Sequence, residues 1–470
     1  MKKFARFCTV SVLCLTLSST AVFAANGEDD NLTLTDAVGK GVVKNPEYGV
    51  VANNKLATKE ELTQARALWK PSVDFLGQTG YERTNSPFID DKSLWRNSSS
   101  ITLTQLLYDG HSTSSEIERQ ENRVLSAANR VGEVAEFVGL DIVQSYLEVL
   151  RQRDLLAIAR ANVDDHNQIL GTIQTGANAG TVTEGDVSQA NARLALANAT
   201  VASTEEALRN AESLFIQKVG DTPGDMAFPD IPRNLLPANV DDAVRQALTL
   251  SPTLAVTEAD EKVATSEYAG SGSTLYPRLE LQANASLGHD LDGIEGHDDR
   301  ESVLGVMRWN LYRGGADIAR EREFLYRVAQ AKEQRSQAAR QVEKDMRDTW
   351  AGMISSSARA KEFLAQATAN EKVVNVYLDQ FSLDRRTLLD VLDSQNELFV
   401  SRSSHINALY TEMFAVYRVL ALKGQLLGSM NIARPREATA ATPDSSAPTA
   451  PANAPAAAQG ANPVTTTTNQ

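Results

Sequence analysis

The chain is written twice, and each copy constrains the reading of the other. Asp36-Ala37-Val38 recurs as Asp242-Ala243-Val244, and Lys70-Pro71-Ser72-Val73-Asp74-Phe75 as Tyr276-Pro277-Arg278-Leu279-Glu280-Leu281, a displacement of 206 positions. Asn45-Pro46 pairs in the same way with Ser251-Pro252. Further on, Leu107-Tyr108-Asp109-Gly110 returns as Leu311-Tyr312-Arg313-Gly314, and Asp186-Val187 as Asp390-Val391, displaced by 204. Chance pairings would not keep their order along the whole of both copies, so the sequence predicts two structural repeats, residues 32–231 and 238–431.

Proline marks the joints. None occurs between Phe88 and Thr222 or between Arg278 and Arg434, whereas Pro223, Pro229, Pro232 and Pro237 crowd the link between repeats. Because proline costs about 3 kcal/mol inside a helix, the two clear stretches are where long helices fit. Each repeat opens with a short helix, near 35–45 or 241–250. A second helix then runs to Trp69 or Leu275.

A stretch of alternating character follows. Val73, Phe75, Gly77, Thr79 and Tyr81 share one face in the first repeat, and Leu279, Leu281, Ala283, Ala285 and Leu287 in the second. Each has the period of a membrane-crossing strand, roughly 9 to 11 residues. A polar loop and a returning strand, near 98–108 and 302–312, complete the pair, so one chain offers four strands. Four strands cannot close a barrel, and hydrocarbon tolerates no open sheet edge. The chain therefore oligomerises or stays in water, and three copies would make a twelve-stranded barrel. Trp69, Tyr108, Tyr276, Trp309 and Tyr312 fall at the helix-proximal strand ends, where an interfacial girdle belongs. Aromatic residues end strands in water-soluble proteins too.

After Gly110 and Gly314 the period changes from two to about three and a half. Ser112 to about Thr175 predicts a rod of roughly 90 Å at 1.5 Å per residue, reversed by a turn over Gly176–Gly185. The returning helix carries a heptad seam of Val187, Ala190, Leu194, Ala197, Val201, Thr204, Leu208, Ala211 and Phe215. Phe399, Ile406, Leu409, Met413, Val416 and Leu420 keep the same beat in the second repeat.

The two ends differ from the body. Residues 1–24 read as a secretory signal peptide, with Lys2, Lys3 and Arg6, an apolar run from Phe7 to Leu17, and Val22-Phe23-Ala24 at the cleavage site. Its removal takes both cysteines, Cys8 and Cys14, and moves the formal net charge from −14 to −17. That excludes disulfides and thiolate chemistry and disfavours nucleic acid as a partner. Residues 435–470, rich in Ala, Pro and Thr, cannot bury enough apolar surface to order and read as a disordered tail. No stretch of the mature chain reaches the roughly 18 apolar residues of a membrane-crossing helix.

Catalytic and cofactor patterns are missing. The five histidines form no HExxH pair, and neither a GxSxG elbow nor a GxxxxGK[ST] loop occurs. The expectation is a non-enzyme with no catalytic residues, no cofactor and no metal. The loop from Gly288 to Asp299 is the one cluster with cation-binding residue types. It fails the EF-hand pattern, because Gly293 comes two positions early and Ile294 stands where a ligand is needed. It reads better as a solvated outward loop.

The duplicated strand-pair and long-helix grammar behind a signal peptide resembles the TolC family of outer-membrane efflux proteins over nearly all of 32–431. The most specific segments are the two turns, Gly180-Thr181-Val182-Thr183-Glu184-Gly185-Asp186-Val187 and Arg385-Arg386-Thr387-Leu388-Leu389-Asp390-Val391-Leu392-Asp393-Ser394-Gln395. The resemblance implies an α+β membrane protein, a trimeric channel-tunnel. Its twelve-stranded transmembrane β-barrel, four strands per protomer, continues into a long periplasmic α-helical barrel. It implies that Asp390 and Asp393 line the closed aperture at the periplasmic end. Residue types alone favour Asp390 as a helix cap and Asp393 as a solvated face residue, and only the resemblance favours the aperture. Arg386 matches an arginine that ties the inner helix pair to a neighbouring turn, here Gly185 and Asp186. Phe381 and Asp384 depart from the family pattern, standing for a gate tyrosine and a turn glycine.

The functional expectation is the outer membrane component of a type I secretion system. It would work as a homotrimer in outer membrane lipid, with a periplasmic adaptor and an inner-membrane transporter as partners. An outlet for a multidrug or small-molecule efflux pump is the alternative. A periplasmic coiled-coil scaffold that never inserts is the third reading, and it leaves the duplicated strands unexplained.

Overall fold

The computed structural model describes residues 31–439 except Asp384. The expected signal peptide, the tail beyond Thr439 and the departure at Asp384 lie outside the described residues.

One order of elements occurs twice. The first half runs α1 (Leu34–Lys44), α2 (Pro46–Ala67), β1 (Ser72–Ser86), β2 (Ile89–Tyr108), α3 (Ser112–Asn178) and α4 (Glu184–Val219). The second runs α5 (Val240–Leu250), α6 (Pro252–Ser271), β3 (Arg278–His289), β4 (His297–Arg308), α7 (Ala316–Ser382) and α8 (Leu388–Leu422), followed by a single turn, α9 (Leu426–Ser429). The four strands form one antiparallel sheet in the order β1-β2-β3-β4, so the pair β2–β3 joins the two halves. Among the described residues, no helix is long and apolar enough to cross a membrane.

The long helices α3 and α7 have 67 residues each, about 100 Å at 1.5 Å per residue. Each is flanked by two shorter helices laid end to end. Beside α3, α2 covers the sheet-proximal half, where Arg66 meets Glu121 at 2.8 Å and Arg123 pairs with Glu61. The distal half is covered by α4, through Arg160–Glu205 at 2.9 Å and Lys218–Asp141 at 2.6 Å. The splice between them is a capping device. The Asn45 side chain accepts from the Glu47 N–H at 2.8 Å, fixing the start of α2, and donates to the carbonyl of Lys218 in the last turn of α4 at 3.4 Å.

In the second half α8 meets α6 at Gly424. There φ is +66°, and a Cβ would come within 3.0 Å of Pro252 Cδ. Proline at the first helical position stops each entering helix from extending backwards into its neighbour.

The heptad seam of α4 is the face that packs on α3: its members are buried or half-buried, and Ala190, Ala197, Ala211 and Phe215 fully so. Midway along the bundle, α1, α3, α4, α8 and α9 share a core around Val38, Ile142, Tyr146, Phe215, Met413, Tyr417 and Leu420. The proline-rich link crosses it. The Tyr146 hydroxyl lies 2.7 Å from the carbonyl of Leu32 and 2.6 Å from that of Ala227, and Tyr417 donates to the carbonyl of Asp230 at 2.9 Å.

Three boundaries differ from the sequence expectation. The first hairpin has no polar loop over 82–97: β1 continues to Ser86 and β2 begins at Ile89, because the ladder keeps pairing to Thr84↔Lys92 and the Arg83–Asp91 ion pair closes it at 2.5 Å. The last strand ends at Arg308 rather than near 312, so Tyr312 stands beyond the sheet. The C-terminal segment stays ordered past Pro435. A 3-10 turn, Arg436–Ala438, docks on the bundle through Tyr48 donating to Glu437 at 2.8 Å and Ala438 packing near Gly132 of α3. One hydrogen bond and a small-residue contact anchor a segment whose composition alone reads as disordered.

Candidate functional site

The register divides the sheet into two unlike faces. Val73 opposes Leu103, and that row continues through Ala283 to Val303; Phe75 opposes Ile101, and that row continues through Ala285 to Glu301. This face is apolar and open: Phe75 is 71% exposed and Val303 71%. Glu301 and Asp299 are the acids of β4 on this face, towards its distal end. The opposite face carries Asp74, Gln78, Ser98, Ser100, Thr102, Asn284 and Ser286 in register, with Asn284 donating to Thr102 at 2.8 Å. Leu76, Leu304 and Val306 also lie on this second face, so it is mixed rather than uniformly polar, and a sheet with one predominantly apolar face and one more polar face has the chemistry of a wall between lipid and water. β1 and β4 are free edges.

All five expected aromatic residues sit at the helix-proximal end. Trp69, Tyr276, Trp309 and Tyr312 are exposed there, and Trp309 donates its indole N–H to the carbonyl of Leu275 at 3.1 Å. Tyr108 is half-buried, edge-on to His111 with ring centroids 6.0 Å apart. A second aromatic level was not anticipated. Tyr81 and Trp95 are a register pair on the apolar face at the distal end, 68% and 61% exposed. Drawing the hairpin register through residues 82–97 would have revealed it.

At the other extremity, the α3–α4 and α7–α8 turns converge on one apolar plug of Ile169, Ile173, Ala190, Leu388, Val391 and Leu392, with Phe381 against it. Each returning helix starts with the same capping box. Thr183 donates its hydroxyl to Asp186 at 2.7 Å, and the Asp186 N–H returns a bond to Thr183 at 3.2 Å. Thr387 and Asp390 repeat the pattern at 2.8 and 3.3 Å. The Thr387 hydroxyl and N–H, with Arg386 nearby, hold the Asp390 carboxyl below the usual carboxylate range. Asp390 is thus the third helical residue of α8, the partner of its Thr387 N-cap in the capping box.

Asp393 lies one turn further along α8, on the same side as Asp390. It is bridged by Arg193 of α4, Nη2 to Oδ1 at 2.9 Å. Nothing in the sequence singled out Arg193. Arg386 does not reach Gly185 or Asp186 within the chain. Its guanidinium lies 4.0 Å over the Tyr377 ring, donates to Gln380 at 3.1 Å and stands 3.8 Å from Asp390. Gly185 and Asp186 stay at their own turn, Asp186 occupied by its capping box.

The chain as a whole is similar to known proteins. A family model described as outer membrane efflux protein matches residues 44–217. Among curated proteins, the outer membrane efflux protein BepC of Brucella suis is 22% identical over 395 residues, covering 84% of this chain and 86% of its own. Outer membrane protein TolC of Vibrio cholerae is 24% identical over 428 residues, covering 89% and 94%. Among solved structures, the CmeC outer membrane channel of Campylobacter jejuni superposes with a TM-score of 0.75 at 11% identity, covering 89% of this chain and 94% of that one. CusC does so with 0.73 at 14% identity, covering 84% and 91%. At these identities the structural likeness concerns the fold.

Proposed function

Because the chain belongs to the TolC-like outer membrane efflux protein family, we propose that three copies close into one duct that carries cargo across the outer membrane from a periplasmic helical tunnel. It is an outer membrane channel protein and not an enzyme. The observation that carries the trimeric reading is the sheet: four strands, two free edges and one exposed apolar face. Each unpaired backbone group in hydrocarbon costs several kcal/mol, and β4 of one copy against β1 of the next removes every edge at once. Three sheets of four strands then make a barrel with the apolar face to lipid and the polar face to the lumen. Tyr81 and Trp95 above, and Trp69, Tyr276 and Trp309 below, lie at its two interfaces.

At the periplasmic end, three tips on one axis bring three copies of Asp390 and Asp393 together. Such concentrated negative charge favours cations and binds divalent ions. Arg386, stacked on Tyr377, stands at the same turn. Reaching Gly185 and Asp186 of the neighbouring copy, it would tie the tips shut by charge-assisted bonds.

For cargo, the finer reading is a type I secretion outlet working with an inner-membrane transporter and a periplasmic adaptor. The stretch from Phe381 to Phe399, with its run from Arg385 to Phe399, resembles secretion-type members more than lipid-anchored drug-efflux members. A small-molecule efflux outlet is the second reading, in keeping with similarity to BepC, an outer membrane efflux protein.

The experiment is single-channel recording of the purified protein in planar bilayers, beside its Asp390→Ala/Asp393→Ala variant. Small cation-selective openings blocked by divalent ions, with block and selectivity lost in the variant, support the duct and its acidic aperture. A folded protein that never conducts, even with Arg386 replaced, sinks the reading. Deleting the gene and measuring exported protein against drug susceptibility separates the two cargoes.

A further inference from the structure

We propose that His289 and His297 form a two-imidazole clamp for a divalent transition-metal ion at the distal end of the sheet. His289 ends β3, His297 begins β4, and the register sets them directly opposite each other. Facing residues of an antiparallel pair hold their Cβ atoms about 5 Å apart. The two rings lie 4.8 Å from centroid to centroid, inclined at 39°. His289 Nε2 lies 3.6 Å from Asp290 Oδ2; turning the two rings towards each other would place one nitrogen of each on a common ion.

The backbone between them is braced. Asp290 donates its N–H to the carbonyl of Gly296, and the Gly296 N–H returns to Asp290 Oδ1, both at 2.9 Å. Asp290 and Asp292 hold positive φ of 57° and 53°, a conformation that persists in non-glycine residues only where the surroundings enforce it. Gly293 is wedged against the first hairpin, where a Cβ would lie 3.0 Å from Thr84 and from Ile89. The clamp therefore does not need to close a flexible loop on binding.

Space and charge favour an ion. An open cavity of about 670 Å³ lies beside the rings, lined among others by Asp299, Asn97 and Gly77. Asp299 is two residues along the same face from His297. The basic side chains nearby are engaged: Arg300 with Asp298, and Lys92 with Glu295 at 3.3 Å. Asp290, Asp292, Asp299 and Glu301 leave the region acidic. Among the described residues no group of three or more His, Cys, Asp and Glu is arranged to hold a metal, so water completes the coordination. Imidazole ligands select copper, nickel and zinc over magnesium and calcium, the reverse of the oxygen-donor site whose pattern this loop fails.

The proposal does not depend on conduction. The full-length protein in detergent is titrated with Cu2+, followed by calorimetry and electron paramagnetic resonance. The expected result is one ion per chain with couplings to two imidazole nitrogens. His289→Ala or His297→Ala should each weaken binding at least tenfold, the pair should abolish it, and Mg2+ should not compete. His111 and His405, in α3's cap and in α8, serve as controls. Single variants with wild-type affinity and spectrum, or a signal that follows His111→Ala or His405→Ala, overturn the proposal. Should a variant misfold, diethyl pyrocarbonate labelling of the wild type decides: Cu2+ should protect His289 and His297, and unprotected rings overturn the clamp.

Discussion

Arg193 of α4 holds Asp393 of α8 through a 2.9 Å bond, joining the tip of one helical hairpin to that of the other. Half of the Asp393 carboxylate stays exposed, at 55%, so the pair is screened and contributes about 0.2–1 kcal/mol per chain. In the proposed trimer three such bonds would act together. Arg193→Ala should lengthen channel openings while leaving divalent block in place, since the carboxylates remain. Asp393→Asn should lengthen openings and weaken the block as well. Unchanged open times in both variants would show that the bond restrains nothing.

The capping boxes predict where the tip unravels. Thr183→Ala removes the bond to the Asp186 N–H and should cost about 1 kcal/mol. Hydrogen exchange should speed up over the first turn of α4 and leave α3 above Asp154 unaffected. Thr387→Ala should do the same at α8. Asp390 also loses the hydroxyl that depresses its pKa. Its capping contribution is full above the ordinary carboxylate range and disappears as pH falls through the depressed value, so the wild-type tip should loosen only in strong acid.

Glu136 should make stability fall as pH rises. Burial pushes its carboxyl up to about 7, against the N–H groups of Leu427 and Leu426 and the charge of Arg434, which favour ionisation. The native state thus holds a proton that the unfolded chain, near 4.5, has released. Stability is highest below about 4.5 and declines towards 7, by an amount on the order of 3 kcal/mol at most. Glu136→Gln should flatten that slope and match or exceed the wild-type melting temperature at pH 7.5. Parallel melting curves for the two proteins across this range would contradict the assignment.

Gly110 should tolerate no side chain. Its φ is +65°, and a Cβ would fall 2.6 Å from Tyr276 Cβ and 2.7 Å from the carbonyl of Ser273. Here β2 leaves the sheet for α3 under the end of α6. Gly110→Ala should destabilise the fold severely and deplete protein from the outer membrane. Gly314→Ala, with φ of +61° but open space around it, should be milder, at about 1–2 kcal/mol. Equal effects would mean that backbone strain, not the contact with Tyr276, sets the cost.

Much of this molecule was readable before any coordinates. The repeat, the proline-free stretches and the switch of period after Gly110 and Gly314 are local properties, and local properties choose between helix and strand. Thr183 with Asp186 and Thr387 with Asp390 are three residues apart, so both capping boxes are local, although α4 begins at Glu184, inside the turn expected over Gly176–Gly185. The alternation of the sheet faces followed from a period of two, and four strands with an apolar face already narrowed the chain to oligomerising or staying in water.

Other features lay beyond it, because they depend on residues far apart in the chain. That β2 pairs with β3, making one sheet of two hairpins, is decided by how the halves pack. The length of β2 depended on its ladder with β1, and so did the second aromatic level at Tyr81 and Trp95. Arg193 and Asp393 are 200 positions apart, and Tyr48 meets Glu437 across 389. Sequence fixes what each residue can offer, a charge, a cap or an apolar surface. Only the folded chain, by bringing α4 against α8 and the last turn against α2, determines which offers meet.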